Sequence, residues 1–299
     1  MASVSGQSGV FLGADQLIDE LSEGSAPAGD SRRRRRPGRP RLWRITIFVL
    51  AAIFFLGPLI SAFKFSLITA NGSYGFSNYG DIVDSSAIRS SLLTSLEIAA
   101  IAAVVVVTLM LPTVVWVRLR RPKLTLLLEG ITLLPIVIPP VVVAAGLEEL
   151  QRNAPSWVVS LFFNHALTGL TPFYVVLAMP FTYRALDTGV RSIDLRTLVD
   201  ASRSLGASWF TTLTRVILPN VQTAVLGAMF LTIALCLGEV IISSLLLYTT
   251  FPVEIIQQSL SGTAGISVAL SIITLLFTFL LLFSLSFIGR RRAGAGRVF

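Results

Sequence analysis

Three carboxylates, Glu97, Glu129 and Glu239, interrupt stretches that are otherwise apolar. Ionising a carboxyl in such surroundings is costly unless a partner or water compensates, so each must face protein or water rather than lipid. Such groups can carry protons or cations across a membrane, or they can hold helices together through hydrogen bonds. Other chemistries fail for want of residues. His165 is the single histidine and Cys236 the single cysteine, so no internal disulfide, histidine pair or cysteine-rich metal site can form. The only lysines, Lys64 and Lys123, stand outside any Gly-x-x-x-x-Gly-Lys-Ser/Thr loop, so the chain does not hydrolyse ATP by that route. Neither Gly-x-Gly-Asp nor His-Glu-x-x-His occurs, which leaves an intramembrane enzyme without its machinery.

The elements that must position these groups follow from composition. Of the 299 residues, 54% are hydrophobic and only 13% charged, too few ionisable groups to cover a water-facing surface. The mean hydropathy is +0.78, that of a membrane protein. A spanning helix needs about 20 mainly apolar residues. Six segments meet that length: Leu42–Leu67, Ser90–Val117, Leu124–Leu147, Leu167–Tyr183, Val216–Leu247 and Val268–Ile288. The fourth is short and carries Pro172 and Pro180. Pro135, Pro139 and Pro140 should kink or unwind the third, and the fifth, longer than a span needs, should be tilted or broken near Gly238.

Basic residues set the orientation. With the N-terminus inside, the inner segments are the tail, residues 118–123, residues 184–215 and the C-terminus; they hold 21 of the 24 lysines and arginines. The outer side keeps Lys64, Arg89 and Arg152. The expected fold is therefore an all-α membrane protein with six transmembrane helices and both termini cytoplasmic. Residues 1–41, Ser/Gly/Pro-rich and then Arg-rich from Arg32 to Arg36, form a disordered basic tail against anionic lipid rather than a signal peptide or a nucleic-acid arm. Residues 290–299 form a second basic tail. Trp43, Trp116 and Trp157 fall near span ends, as interfacial anchors do.

The inner loop at 184–215 is longer than a turn requires. Leu186, Val190, Ile193, Thr197 and Leu198 recur at spacings near 3.6 between alternating charges, which predicts short amphipathic helices outside the bilayer. Residues 200–219 read Asp-Ala-Ser-Arg-Ser-Leu-Gly-Ala-Ser-Trp-Phe-Thr-Thr-Leu-Thr-Arg-Val-Ile-Leu-Pro. This resembles the EAA loop of permease subunits of binding-protein-dependent ABC importers: Glu-Ala-Ala, three residues, Gly, nine residues, Ile-x-Leu-Pro. Asp200, Ala201 and Ser202 take the first three positions, Gly206 the glycine, and Val216, Leu218 and Pro219 the close. Asp for Glu, Ser for the second Ala and Val for Ile are the departures, all conserving charge sign, small size or branching. Small Ala201 and Ser202 would seat closely in a partner's groove, Gly206 would allow a sharp turn or a close backbone approach, and Pro219 would suit the first turn of the next span. A basic amphipathic loop resting on lipid headgroups is the alternative, which the glycine and proline spacing does not require.

The resemblance covers about residues 45–289. Leu134 to Pro140 is similar to the family's proline-containing span. Leu237-Gly238-Glu239, Phe251-Pro252-Val253, Pro58 and Asn78-Tyr79 are similar to the branch handling polyamines, ferric iron, molybdate or sulfate. It implies a first helix and outer loop at 42–89, a permease core at 90–289, and coupling to a separate ATPase through 187–219, with Asp200, Ala201, Ser202, Leu205, Gly206, Leu218 and Pro219 at the contact. Gly238, Glu239, Pro139 and Pro140 are implied at the pathway or gate, although for Glu239 the favoured reading is a protonated or hydrogen-bonded carboxyl that holds helices together. The chain would bind no cofactor, ATP and magnesium belonging to a cytoplasmic ATPase dimer. The other implied partners are a second permease subunit, identical or related, and an extracytoplasmic substrate-binding protein, at a prokaryotic plasma membrane. An ion-gradient carrier using the intramembrane glutamates is the alternative, and it leaves the Asp200 to Pro219 spacing unexplained. Asp81, Asp84, Glu148, Glu149 and Glu254 outnumber the basic groups outside and lean the cargo toward a polyamine.

Overall fold

The computed structural model of the chain describes residues 42–69 and 71–295. The expected disordered tail at 1–41 lies outside the described residues, as do residues 296–299 of the C-terminal tail. The chain divides into two units at Phe55 and Leu56. The described part of the first, residues 42–55, is the beginning of helix α1 (Leu42–Ser66), which is apolar along its length.

The second unit is helical, with one isolated bridge between Ile68 and Tyr74 among the described residues. After α1 come α2 (Ser77–Asp84), α3 (Ser86–Arg120), α4 (Thr125–Val137), α5 (Pro140–Asn153) and α6 (Ala166–Arg191). They are followed by α7 (Leu195–Ser204), α8 (Trp209–Asn220), α9 (Gln222–Gly238), α10 (Ile241–Leu245), α11 (Phe251–Leu260) and α12 (Ala264–Ala295). Three helices are long and apolar enough to cross a membrane, in α1, α3 and α6, and two bent pairs raise the number to five among the described residues. The sixth expected span lies within α12, whose described apolar stretch, Ala264–Leu280, is shorter. The fold is thus all-α and multi-pass.

Two expected spans are not single rods. The third breaks between α4 and α5 with an 84° bend. Pro139 and Pro140 cannot donate to the ladder, and a residue ahead of proline is driven from helical to extended backbone, as Ile138 is at φ −84°, ψ 120°. The fifth bends by 83° between α8 and α9, then stops at Gly238, so it breaks twice. The fourth, by contrast, runs unbroken through Pro172 and Pro180 and continues to Arg191, beyond the expected end at Tyr183. Leu186 and Val190 therefore belong to this helix and its core rather than to an amphipathic loop helix.

The core is the packing of α3, α6 and α9 on one another. Ala99, Ala102, Ala178 and Ala228 are fully buried along the contact, the small side chains that let membrane helices approach closely. A Cβ on Gly189 would overlap Ala224 of α9, so only glycine fits there. At the same end Asp187 accepts from Arg118 at the foot of α3 and pairs with Arg191 at 2.9 Å.

Removing the Asp187 carboxylate strands Arg118, which is only 23% exposed, without a counter-charge. Asp187→Ala should lower stability by about 2–3 kcal/mol, whereas Arg191→Ala, 61% exposed, should cost under about 1 kcal/mol. Thermal unfolding in mild detergent separates the two, and equal midpoints would remove the brace from the account.

Candidate functional site: the α7–α8 loop and the broken spans

The loop between α6 and α9 is two short helices held at a fixed angle. Asp194 opens α7: its carboxylate accepts the Thr197 hydroxyl at 2.7 Å and the Thr197 N–H at 3.4 Å, and these bonds hold its pKa below the ordinary carboxylate value. At the other end Gly206 takes φ +81°. Its N–H bonds the Arg203 carbonyl at 3.0 Å and the next N–H, of Ala207, bonds the Ser202 carbonyl at 3.1 Å. This 5→2 and 6→1 pairing is the Schellman closure, which needs a left-handed residue at that position. Open space surrounds the place where a Cβ would sit, so it is the turn, not a close approach, that requires glycine. Ser208 then starts α8 by accepting the Thr211 N–H at 3.2 Å.

Ser202 and Thr212 share a buried hydrogen bond of 2.7 Å that ties α7 to α8. Ser202 therefore faces inward, not toward a partner as expected from its small size. Asp200, Ala201 and Leu205 are exposed, and Leu205 and Phe210 are 89% and 74% exposed at the tip. Leu218 packs on the core. Pro219 lies in the last turn of α8, not in the first turn of the span that follows. Its missing N–H removes a rung, the segment just before it, Thr212–Ile217, is wound as a π-helix, and the chain bends at Val221.

The second group of expected residues meets at the opposite breaks. α9 ends at Gly238, and Glu239 turns extended at φ −83°, ψ 123°. Its buried carboxylate accepts the N–H groups of Ile241 and Ile242 at 2.7 and 2.9 Å, which caps α10, and the Tyr174 hydroxyl at 2.9 Å from α6. α10 packs against α5, and Pro140 and Ile242 line one small cavity of about 40 Å³. The breaks at Pro139–Pro140 and Gly238–Glu239 are thus neighbours through these helices. α10 closes with Leu247 in the left-handed region at φ +62°, a strained backbone for a branched-chain residue.

The remaining carboxylates sit elsewhere. Glu97 is exposed on α3, about 31 Å of helix from Arg118 at 1.5 Å per residue, which is the thickness of a hydrocarbon layer. Glu129 is half-buried in α4. The sequence reading missed Tyr174, Thr212 and Phe210. Tyr174 stands 65 positions from Glu239, and no local spacing links them; Phe210 beside Trp209 was readable as an apolar pair on a charged loop.

The model of the family described as "Binding-protein-dependent transport system inner membrane component" matches residues 99–294. A probable molybdenum ABC transporter permease protein of Haloferax volcanii is 27% identical over 229 residues, 74% of this chain and 81% of that protein. A putative 2-aminoethylphosphonate transport system permease protein of Salmonella typhimurium is 30% identical over 168 residues, 53% of this chain and 58% of its own length. The putrescine transport system permease protein of Escherichia coli K12 is 24% identical over 211 residues, 68% and 73% of the two chains. In fold, the chain is similar to a solved bacterial ABC transporter involved in the import of the acidic polysaccharide alginate, with a TM-score of 0.61 over 94% of this chain and 98% of that one at 14% identity.

Two substitutions test the geometry. Gly206→Val forces a β-branched residue into φ +81° and should cost about 1–2 kcal/mol locally; faster amide exchange across 195–207, with the core helices still protected, is the expected readout. Glu239→Ala leaves the Tyr174 hydroxyl and two N–H groups without their acceptor and should cost about 2–4 kcal/mol. Glu239→Gln keeps an acceptor and should melt closer to the parent; if all three proteins melt together, the cap contributes nothing.

Proposed function

Because the chain belongs to the binding-protein-dependent transport system inner membrane component family, we propose that it forms half of the translocation path of an ATP-driven importer and couples to its ATPase through residues 187–219. The observation that carries the coupling is the α7–α8 pair, a rigid unit closed by Gly206 that presents exposed Leu205 and Phe210 beside Asp200 and Ala201. Exposed apolar side chains on a charged loop suit a protein cleft, where burial favours docking. We place this loop on the cytoplasmic side with both termini, with six spans counting both bent pairs and α12. The basic residues, 21 of 24 on that side, support this orientation.

The partners in this reading are a cytoplasmic ATPase dimer that holds ATP and magnesium, a second permease subunit and an extracytoplasmic binding protein. ATP binding draws the coupling helices of the two permease subunits together. The pull enters α6 and α9 at the loop's two ends, and Gly189 against Ala224 makes those helices move as one. At the far end the motion reaches the neighbouring breaks at Pro139–Pro140 and Gly238–Glu239, which we assign to the gate. The transporter then alternates between two packings, and the ligands bias which is populated. A gradient-driven carrier gains nothing from Glu239, whose carboxylate is already engaged by three donors.

Polyamine is the cargo carried forward for testing, supported by the putrescine permease among the relatives and by Asp81 and Asp84. The other outer carboxylates add little: Glu148 pairs with Arg152, Glu149 is bonded by Asn153, and Glu254 is buried against Gln258.

Purification through a C-terminal tag from native membranes should recover a nucleotide-binding ATPase. Leu205→Asp with Phe210→Asp should abolish that recovery and ATP-dependent uptake while the melting temperature is kept. Uptake that persists without any ATPase, or is collapsed by an ionophore alone, would replace this reading with the gradient-driven carrier.

A further inference from the structure

A groove of about 790 Å³ opens between the foot of α3 and the coupling helix α7. Its walls carry Trp116, Arg120 and Arg121 from α3 and the residue after it, Asp200 and Arg203 from α7, and Trp209 from the start of α8. We propose that this groove binds the phosphate headgroup of an anionic phospholipid of the cytoplasmic leaflet, tying the coupling helix to the membrane-crossing helix beside it. The inference rests on the placement of the loop at the cytoplasmic face.

Charge comes first. Three guanidinium groups face one carboxylate, and among the described residues neither Arg120 nor Arg121 forms an ion pair. Arg203 uses one nitrogen on the Ala207 carbonyl at 3.0 Å, which fixes its direction and leaves its other donors for a ligand. Guanidinium forks match phosphate oxygens in geometry as well as charge. Position is the second argument. Trp116 lies one helical turn before Arg120, at the end of the apolar run of α3, so the groove floor is at the boundary between acyl chains and headgroups. Two half-exposed indoles flanking arginines at that depth suit a ligand that is apolar at one end and anionic at the other.

The same geometry argues against an acidic segment of the ATPase as the occupant. The side chains that project furthest, Leu205 and Phe210, are not among those lining the groove. The groove instead faces back toward α3. A phosphate held by Arg120 and Arg121 on one side and Arg203 on the other joins two elements that no described ion pair connects. Lipid composition would then set how firmly the coupling helix is braced.

The full chain, purified in mild detergent, is titrated with phosphatidylglycerol or phosphatidylcholine and bound lipid is counted by native mass spectrometry. Phosphatidylglycerol should bind in preference, and Arg120→Gln with Arg121→Gln should weaken it about thirty-fold, from the usual contribution of a basic residue near an anionic surface. Arg120→Lys with Arg121→Lys should retain most of the binding, which separates charge loss from misfolding, and Lys123→Gln, outside the groove, should leave it unchanged. Equal binding of the two lipids, or binding indifferent to the Gln pair, overturns the proposal. Displacement of the lipid by millimolar inorganic phosphate would overturn it in favour of a free-phosphate site. Loss of the ATPase in the Gln pair with lipid binding intact would overturn it in favour of an ATPase contact. Labelling of Lys123 in oriented vesicles with an impermeant amine reagent reports the loop's side independently, so a failure of the topology is distinguishable from a failure of the site.

Discussion

A hydrocarbon layer offers backbone N–H and C=O groups no water to bond, so every break in a spanning helix must find its own partners. This chain breaks its helices at Ile138–Pro139, at Val221 and at Glu239, and each break is provided for differently. The prolines at 139 and 140 have no N–H to satisfy. Val221 keeps its N–H on the Ile217 carbonyl at 3.1 Å and offers its own carbonyl to Val225 at 3.0 Å, so the ladder turns a corner without losing these rungs. Glu239 replaces the lost helical acceptors with its side chain, serving two N–H groups and a tyrosine hydroxyl at once. Further along, the Phe251 N–H that starts α11 is met by the Ser95 hydroxyl of α3 at 2.7 Å, and Tyr248 reaches the Phe163 carbonyl at 2.7 Å. At Val221 and Glu239, both buried, protein surrounds the irregular backbone, whereas Ile138 and Pro139 are exposed.

The same requirement divides the molecule into a stiff part and a hinged part. Helices α3, α6 and α9 approach through alanines and Gly189, and close packing of this kind resists small deformation. Helices α5 and α10 are short, each follows an extended residue (Ile138 and Glu239), and α10 leads into the strained Leu247. In the proposed transport cycle, a displacement of the stiff bundle is absorbed where the spans are already broken. In the proposed importer the loop applies one: Asp194, Ser208, Gly206 and the Ser202–Thr212 bond hold α7 and α8 in a single arrangement that would pass on force from the exposed tip.

The amino-acid sequence by itself determined what depends on composition and on short-range spacing. Apolar length predicted where the chain runs as membrane helix, because burying about 20 residues in lipid is a property of the segment alone. The prolines at 139 and 140 announced a break, and the Asp200 to Pro219 spacing announced the loop, with Gly206 at its turn, because a left-handed residue at a helix end is a local demand. What faces what was beyond its reach. Ser202, small enough to meet a partner, turns inward to Thr212; Pro219 ends a helix rather than starting one; Leu186 and Val190 belong to the core. Glu239 could have been a gate group or a brace, and only the fold shows its carboxylate held by Tyr174 from a helix 65 positions away. The arginines of the groove were legible merely as positive charge between spans, since their convergence needs the foot of α3 to stand beside α7. Local conformation is encoded by neighbours in the chain, whereas the partner of a buried polar group is chosen by packing among distant helices, which no spacing records.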